Sequence, residues 1–125
     1  MRIWIGKYIA VVGVLHCALG VVVFSGTFAD LFRDGFFNTI NGEPELEFPF
    51  WFVVVGVFWV VLGVLIDSVE KAGQAIPRFV GWAVFGSAVV GAAIMPLSGW
   101  WLFLIPGVAL VRKKVQGSKL NVEQL

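Results

Sequence analysis

The chain has 125 residues, 59% of them hydrophobic, 15% aromatic and 14% charged, with mean hydropathy +0.93 and net charge +1. Soluble domains carry about 25% charged residues, and small ones bury only about two-thirds of their chain surface. The apolar excess therefore calls for lipid, the near-neutral charge excludes a basic field for nucleic acid, and the single cysteine, Cys17, excludes an intrachain disulfide or a multi-cysteine metal motif. No metal motif, phosphate loop or nucleophile constellation is present, and no cofactor is evident.

A helix rises about 1.5 Å per residue and the hydrocarbon core is roughly 30 Å thick, so a span needs about 20 apolar residues. Residues 3–24 qualify, with Lys7 near enough to the end to snorkel. This segment is too long for a signal-peptide core and reads as a retained span. Residues 48–66 form a second span without charge, with Pro49 at its start. The stretch 79–111 is also uncharged but too long for one span, and Pro96-Leu97-Ser98-Gly99 divides it into a helical hairpin. Its arms are spans at 79–95 and 99–114. Pro106-Gly107 predicts a kink in the last.

Between the first two spans, residues 25–47 form an outer loop. Phe28, Leu31, Phe32 and Phe36 follow helical spacing, Phe37 extends the face, and Thr27 offers a cap. This predicts a short amphipathic helix on the outer leaflet or over the bundle mouth. Residues 116–125 read as a cytoplasmic tail. The expected architecture is all-α: one domain over 1–115, an up-down-up-down four-helix transmembrane bundle.

Charge sets the orientation. Arg2, Lys7, Lys71, Arg78, Arg112, Lys113, Lys114 and Lys119 fall on one side, and Arg33 alone on the other. The positive-inside rule puts both termini in the cytoplasm. Trp4, Trp51, Trp82, Trp100 and Trp101 lie near span ends, as an aromatic belt requires, whereas Trp59 is mid-span.

Helices in lipid associate through small residues that let backbones approach. Gly6, Gly13 and Gly20 recur every seven residues, Gly56 and Gly63 repeat that spacing, and Ala83, Ser87 and Gly91 form a further stripe. These faces serve one compact bundle, a homodimer or docking on a larger membrane complex, and spacing does not separate the three.

His16 is the only histidine and shares the glycine face of the first span. Counting along the helices places it about 12 Å below the outer surface, level with Gly56, Ser87 and Gly107. That layer leaves room around the imidazole. Ionisable groups inside a membrane are functional candidates by default, although a lone buried histidine also serves simply to fix helix register. Cys17 reads as a small packing residue. Arg33, Asp34 and Asn38 either pair locally or line the mouth of a pocket above His16. Trp59 is packing or a ligand wall. Asp67 and Glu70 begin the cytoplasmic loop, and Glu70 and Lys71 read as ordinary surface charges.

Several segments together resemble the DUF6463 family. They are Gly13-Val14-Leu15-His16; Arg33-Asp34-Gly35-Phe36-Phe37-Asn38; Phe50-Trp51-Phe52 with Gly56, Gly63 and Asp67; Pro77 with Gly81-Trp82; and Pro96-Leu97-Ser98-Gly99-Trp100-Trp101-Leu102. The resemblance covers nearly the whole chain. It implies a bacterial inner-membrane protein of similar fold and implies no activity. A looser likeness, at fold level alone, is to DoxX-type four-helix membrane proteins, some of which handle quinones or small apolar molecules.

The function the sequence favours is binding or carrying a small hydrophobic or amphipathic molecule in a pocket open to the outer leaflet. His16, Ser87, Trp59, Arg33, Asp34 and Asn38 would form that site. The competing functions are a membrane enzyme with His16 as acid/base, a proton-coupled exporter, and an accessory subunit. The expected partners are membrane lipid and such a ligand, with no nucleic acid.

Overall fold

The computed structural model describes residues 3–113. Arg2, Lys114, Lys119 and the expected tail 116–125 lie outside the described residues. Five helices follow in order: α1 (Ile5–Val23), α2 (Ser25–Asp34), α3 (Pro44–Lys71), α4 (Arg78–Ile94) and α5 (Trp101–Arg112). There is no strand among the described residues. Helices α1 and α3 are long and apolar enough to cross a membrane, and α4 and α5 are shorter apolar helices.

The helix ends differ from expectation most in α3, which overruns 48–66 on both sides. Pro44 takes the first helical position, where its missing N–H costs nothing, so Pro49 lies inside the helix instead. Glu45 and Glu47 then occupy the first turn, where the helix dipole favours negative charge. Glu47 also reaches back, accepting the Gly42 N–H at 2.8 Å. At the far end, Asp67 and Lys71 pair one turn apart and carry the helix past the apolar stretch.

The short helix α2 starts directly after the turn at Phe24 and ends at Gly35, whose φ of 86° is a left-handed conformation that suits glycine. Of the expected apolar face, Leu31 is buried, whereas Phe32 and Phe37 are exposed. Phe32 and Phe36 instead stack edge-to-face on each other, with centroids 5.1 Å apart.

Glycine determines how α1 meets α3. A Cβ on Gly6 would collide with the backbone of Asp67, and one on Gly63 with the backbone of Ala10. A Cβ on Gly13 would come within 2.7 Å of the Val60 nitrogen. Residue numbers fall on one helix as they rise on the other, so the pair is antiparallel. Both glycine stripes are used up against each other within the chain.

The α4–α5 hairpin follows the same logic with a different register. Gly81 faces Leu110 and Gly107 faces Phe85, which again makes an antiparallel pair. The buried face of α4 is Gly81, Val84, Ala88 and Ala92, one position away from the expected Ala83–Ser87–Gly91 stripe. Ala83 is exposed, and Gly91 abuts the Trp100 ring. Val84 and Ala88 join the buried core cluster, so that face of the helix is the one turned inward. Nor does Pro106-Gly107 interrupt α5, which is helical through both residues.

The two pairs close on a small core of Ile5, Ile9, Ile66, Val84, Ala88, Phe103 and Leu110. Outside it, large apolar side chains such as Val22, Phe58, Phe79 and Ile94 are exposed on every long helix. So much apolar surface facing outward is what lipid contact requires.

Candidate functional site

His16 is half-buried where α1 crosses α3. Its Nε2 lies 3.0 Å from the Phe52 carbonyl, and its ring stacks on Phe52 with centroids 3.9 Å apart and planes 15° apart. A carbonyl can only accept, so Nε2 carries the hydrogen and donates it. In a neutral imidazole the other nitrogen, Nδ1, is then an acceptor. Among the described residues, Nδ1 has no protein partner. Next to it, the Cys17 thiol donates to the Val53 carbonyl at 3.5 Å.

The space expected beside the imidazole is differently used. A Cβ on Gly56 would press on Cys17 Sγ and come within 3.0 Å of His16 Cδ2. The missing side chain of Gly56 thus makes room for His16 and Cys17 themselves.

The other sequence-predicted residues stand in separate settings. Trp59 packs against Phe103 at 4.0 Å between centroids and against Trp100 at 6.1 Å, seating α3 on α5. The Ser87 hydroxyl donates to the Val84 carbonyl of its own helix at 3.0 Å, and α4 packs chiefly on α5. Arg33 is exposed and pairs with Asp30 at 3.0 Å and Asp34 at 3.2 Å. The hydrogen bond that Arg33 Nε donates to Asp34, the charge of Asp34 and that of Asp30 raise the pKa of the Arg33 guanidinium above its ordinary value. Asn38 is in the turn after α2 with a φ of 56°, a conformation asparagine tolerates better than most residues. Arg33 and Asp34 are therefore together, whereas His16, Trp59 and Ser87 each contact different neighbours.

Among the described residues the most buried charge is Glu70, which by sequence alone reads as a surface group. Glu70 has a fully buried side chain, with Oε2 accepting the Gly6 N–H at 3.1 Å and Oε1 paired with Lys113 Nζ at 2.9 Å. Gly6 is in the first turn of α1, where backbone N–H groups lack helical partners and the dipole end is positive. One carboxylate thus joins the start of α1, the end of α3 and the end of α5. A signal for it was available: Pro49, Gly56, Gly63 and Glu70 recur every seven residues and are all buried. Nearby, Asp67 pairs through Oδ2 with Lys71, while its buried Oδ1 has no partner among the described residues.

These features define an all-α protein with two helices suited to crossing a membrane, whose interior polar groups mostly tie helices to one another. The chain matches the model of a family of unknown function (DUF6463) over residues 1–117 and belongs to that family. No curated protein and no solved structure matches it.

Proposed function

We propose that this is a four-span protein of the bacterial inner membrane that binds a small amphipathic molecule from the outer-leaflet side, with His16 as its polar anchor. The supporting observation is the His16–Phe52 hydrogen bond, which fixes the tautomer and leaves Nδ1 as an acceptor in an apolar setting. Such an acceptor suits a ligand that donates, such as an apolar molecule carrying one hydroxyl. The Phe52 ring beside it offers an aromatic surface. This narrows the anchoring site to His16 and Phe52. Arg33, Asp34 and Asn38 remain on the outer side of the approach, and Trp59 and Ser87 serve packing.

The topology follows from parity and charge. Two long antiparallel helices and a hairpin return the chain to the side where it began. Lys7, Lys71, Arg78, Arg112 and Lys113 gather at that end, which the positive-inside rule makes cytoplasmic. The arms α4 and α5 are about 26 Å and 18 Å long at 1.5 Å per residue, so they cross only with the help of their flanks and local thinning.

Two competing readings are less well supported. An acid/base role needs a positioned second group, and Asp30 and Asp34 are engaged with Arg33. A subunit docking through its glycine faces needs those faces free, and α1 and α3 fill them mutually. The test is native mass spectrometry of gently solubilised full-length protein. The expected result is a discrete small-molecule adduct on wild type and on Ser87→Ala, absent from His16→Ala. A wild type with no adduct other than phospholipid, or a non-phospholipid adduct indifferent to His16→Ala, overturns the ligand reading at His16.

A further inference from the structure

The α4–α5 hairpin leaves an open groove of about 240 Å³, lined by Trp82, Phe85, Val108, Val111 and Arg112. It exists because Gly81 and Gly107 draw the two backbones together, while the larger residues on either side form its walls. Trp82 and Phe85 meet edge-to-face at 6.1 Å and make the α4 wall. Val108, Val111 and Arg112 share one face of α5 at helical spacing.

The charge on this groove is confined to one end. Arg112 closes α5, and Arg78 opens α4 one turn before Trp82 on the same stripe. Because the helices are antiparallel, both guanidiniums are at the same end, and both residues are exposed. The first turn of α4 has no side-chain cap, so its free N–H groups and dipole add positive potential there. Lys113 at this end is engaged by Glu70 and is not free for another anion.

We infer that this groove binds an anionic phospholipid of the cytoplasmic leaflet, with an acyl chain along Trp82, Phe85, Val108 and Val111 and the phosphate between Arg78 and Arg112. An apolar groove that ends at Arg112, with Arg78 one helical turn from Trp82 at the same end, complements a molecule with an apolar tail and an anionic head. Basic pockets between helices on the cytoplasmic side recognise such headgroups. The site is separate from His16 but rests on the membrane placement proposed above.

The test uses full-length protein in mixed micelles, titrated with phosphatidylglycerol or phosphatidylcholine of matched chains and read by native mass spectrometry. Wild type is expected to prefer phosphatidylglycerol. Each arginine near the surface contributes roughly fivefold, so the Arg78→Gln/Arg112→Gln double variant should lose roughly twenty-five-fold for phosphatidylglycerol and much less for phosphatidylcholine, whose choline offsets the phosphate charge. Val108→Trp, which fills the groove, should weaken both lipids. Equal binding of the two lipids to wild type, a preference that survives the double variant, or indifference to Val108→Trp overturns the inference. Vesicle flotation separates the two levels. A chain that does not float overturns the membrane placement and the groove together, whereas one that floats without lipid preference overturns the groove alone. His16→Ala should leave the lipid preference unchanged.

Discussion

The Tyr8 hydroxyl of α1 donates, at 2.9 Å, to the Leu102 carbonyl of α5. In a regular helix that carbonyl would accept the N–H of residue 106, but residue 106 is Pro106, which has none. Tyr8 therefore supplies from another helix the donor that proline removed. This accounts for α5 continuing through Pro106-Gly107 and makes the proline an attachment point between α1 and α5.

A double-mutant cycle tests this relationship. Tyr8→Phe should cost about 1 kcal/mol of stability, the usual net value of such a bond. In a Pro106→Ala background the residue 106 N–H can take the Leu102 carbonyl, so Tyr8→Phe should cost much less. Denaturation in mixed micelles measures the coupling. Additive effects would mean that Tyr8 and Pro106 act independently.

Glu70 should dominate the stability of the positively charged end. Removing one member of a buried ion pair leaves an uncompensated charge and costs about 3–5 kcal/mol. Lys113→Ala should therefore be severe, and Glu70→Ala should be severe as well, since it also strips the acceptor from the Gly6 N–H. The double variant Glu70→Gln/Lys113→Met should lie nearer wild type than either, because glutamine can still accept from Gly6 and no lone charge remains. Thermal unfolding in one detergent ranks the three. A double variant worse than both singles would contradict the pairing.

Arg33 should behave in the opposite way. Its partners Asp34 and Asp30 raise its pKa, so any stabilisation is present below the unfolded-state value and is lost only as pH climbs through the folded one. For an arginine that window is far into alkali. Stability should show no Arg33-dependent change between about pH 5 and about pH 9, and Arg33→Ala should leave the melting temperature unaltered within error, since all three side chains are well exposed. A pH-dependent difference between wild type and Arg33→Ala in that range would show that the cluster is doing more than pairing locally.

What the sequence makes legible is the part that depends on composition and period. The glycine stripes of α1 and α3, the break at Pro96–Gly99 and the all-α class follow from spacing and from the chemistry of single residues. What escaped depends on which side chain a neighbouring helix presents. Glu70 looks like a surface charge until Lys113 and the Gly6 N–H are seen to meet it, and only its place in the Pro49–Gly56–Gly63 period hinted at burial. The place of His16 on the glycine face of α1 is legible in the sequence, but its bond to the Phe52 carbonyl and its filling of the Gly56 notch depend on the rotation of α3, which period alone does not specify.

The glycines provide the most direct check of the packing itself, because the same substitution should have opposite outcomes at different positions. Gly6→Ala and Gly63→Ala each drive a methyl group into backbone, which cannot move aside as a side chain can. Each should destabilise by about 1–3 kcal/mol or more, and both should act on the same α1–α3 contact. Gly26 in α2 and Gly86 in α4 have nothing within 4 Å of an added Cβ. Alanine there should be neutral or stabilise by up to about 1 kcal/mol through helix propensity. Gly20→Ala meets the Phe52 and Val53 side chains rather than backbone, so its cost should fall between the two groups. It should also disturb the Phe52 ring that stacks on His16, so the ligand adduct proposed for His16 should weaken with it, while Gly6→Ala, at the opposite end of the same helix, should lower stability without that selective loss. Unfolding midpoints together with adduct retention for the five variants separate these effects, and a uniform response across them would mean that α1 and α3 do not cross where their glycines meet.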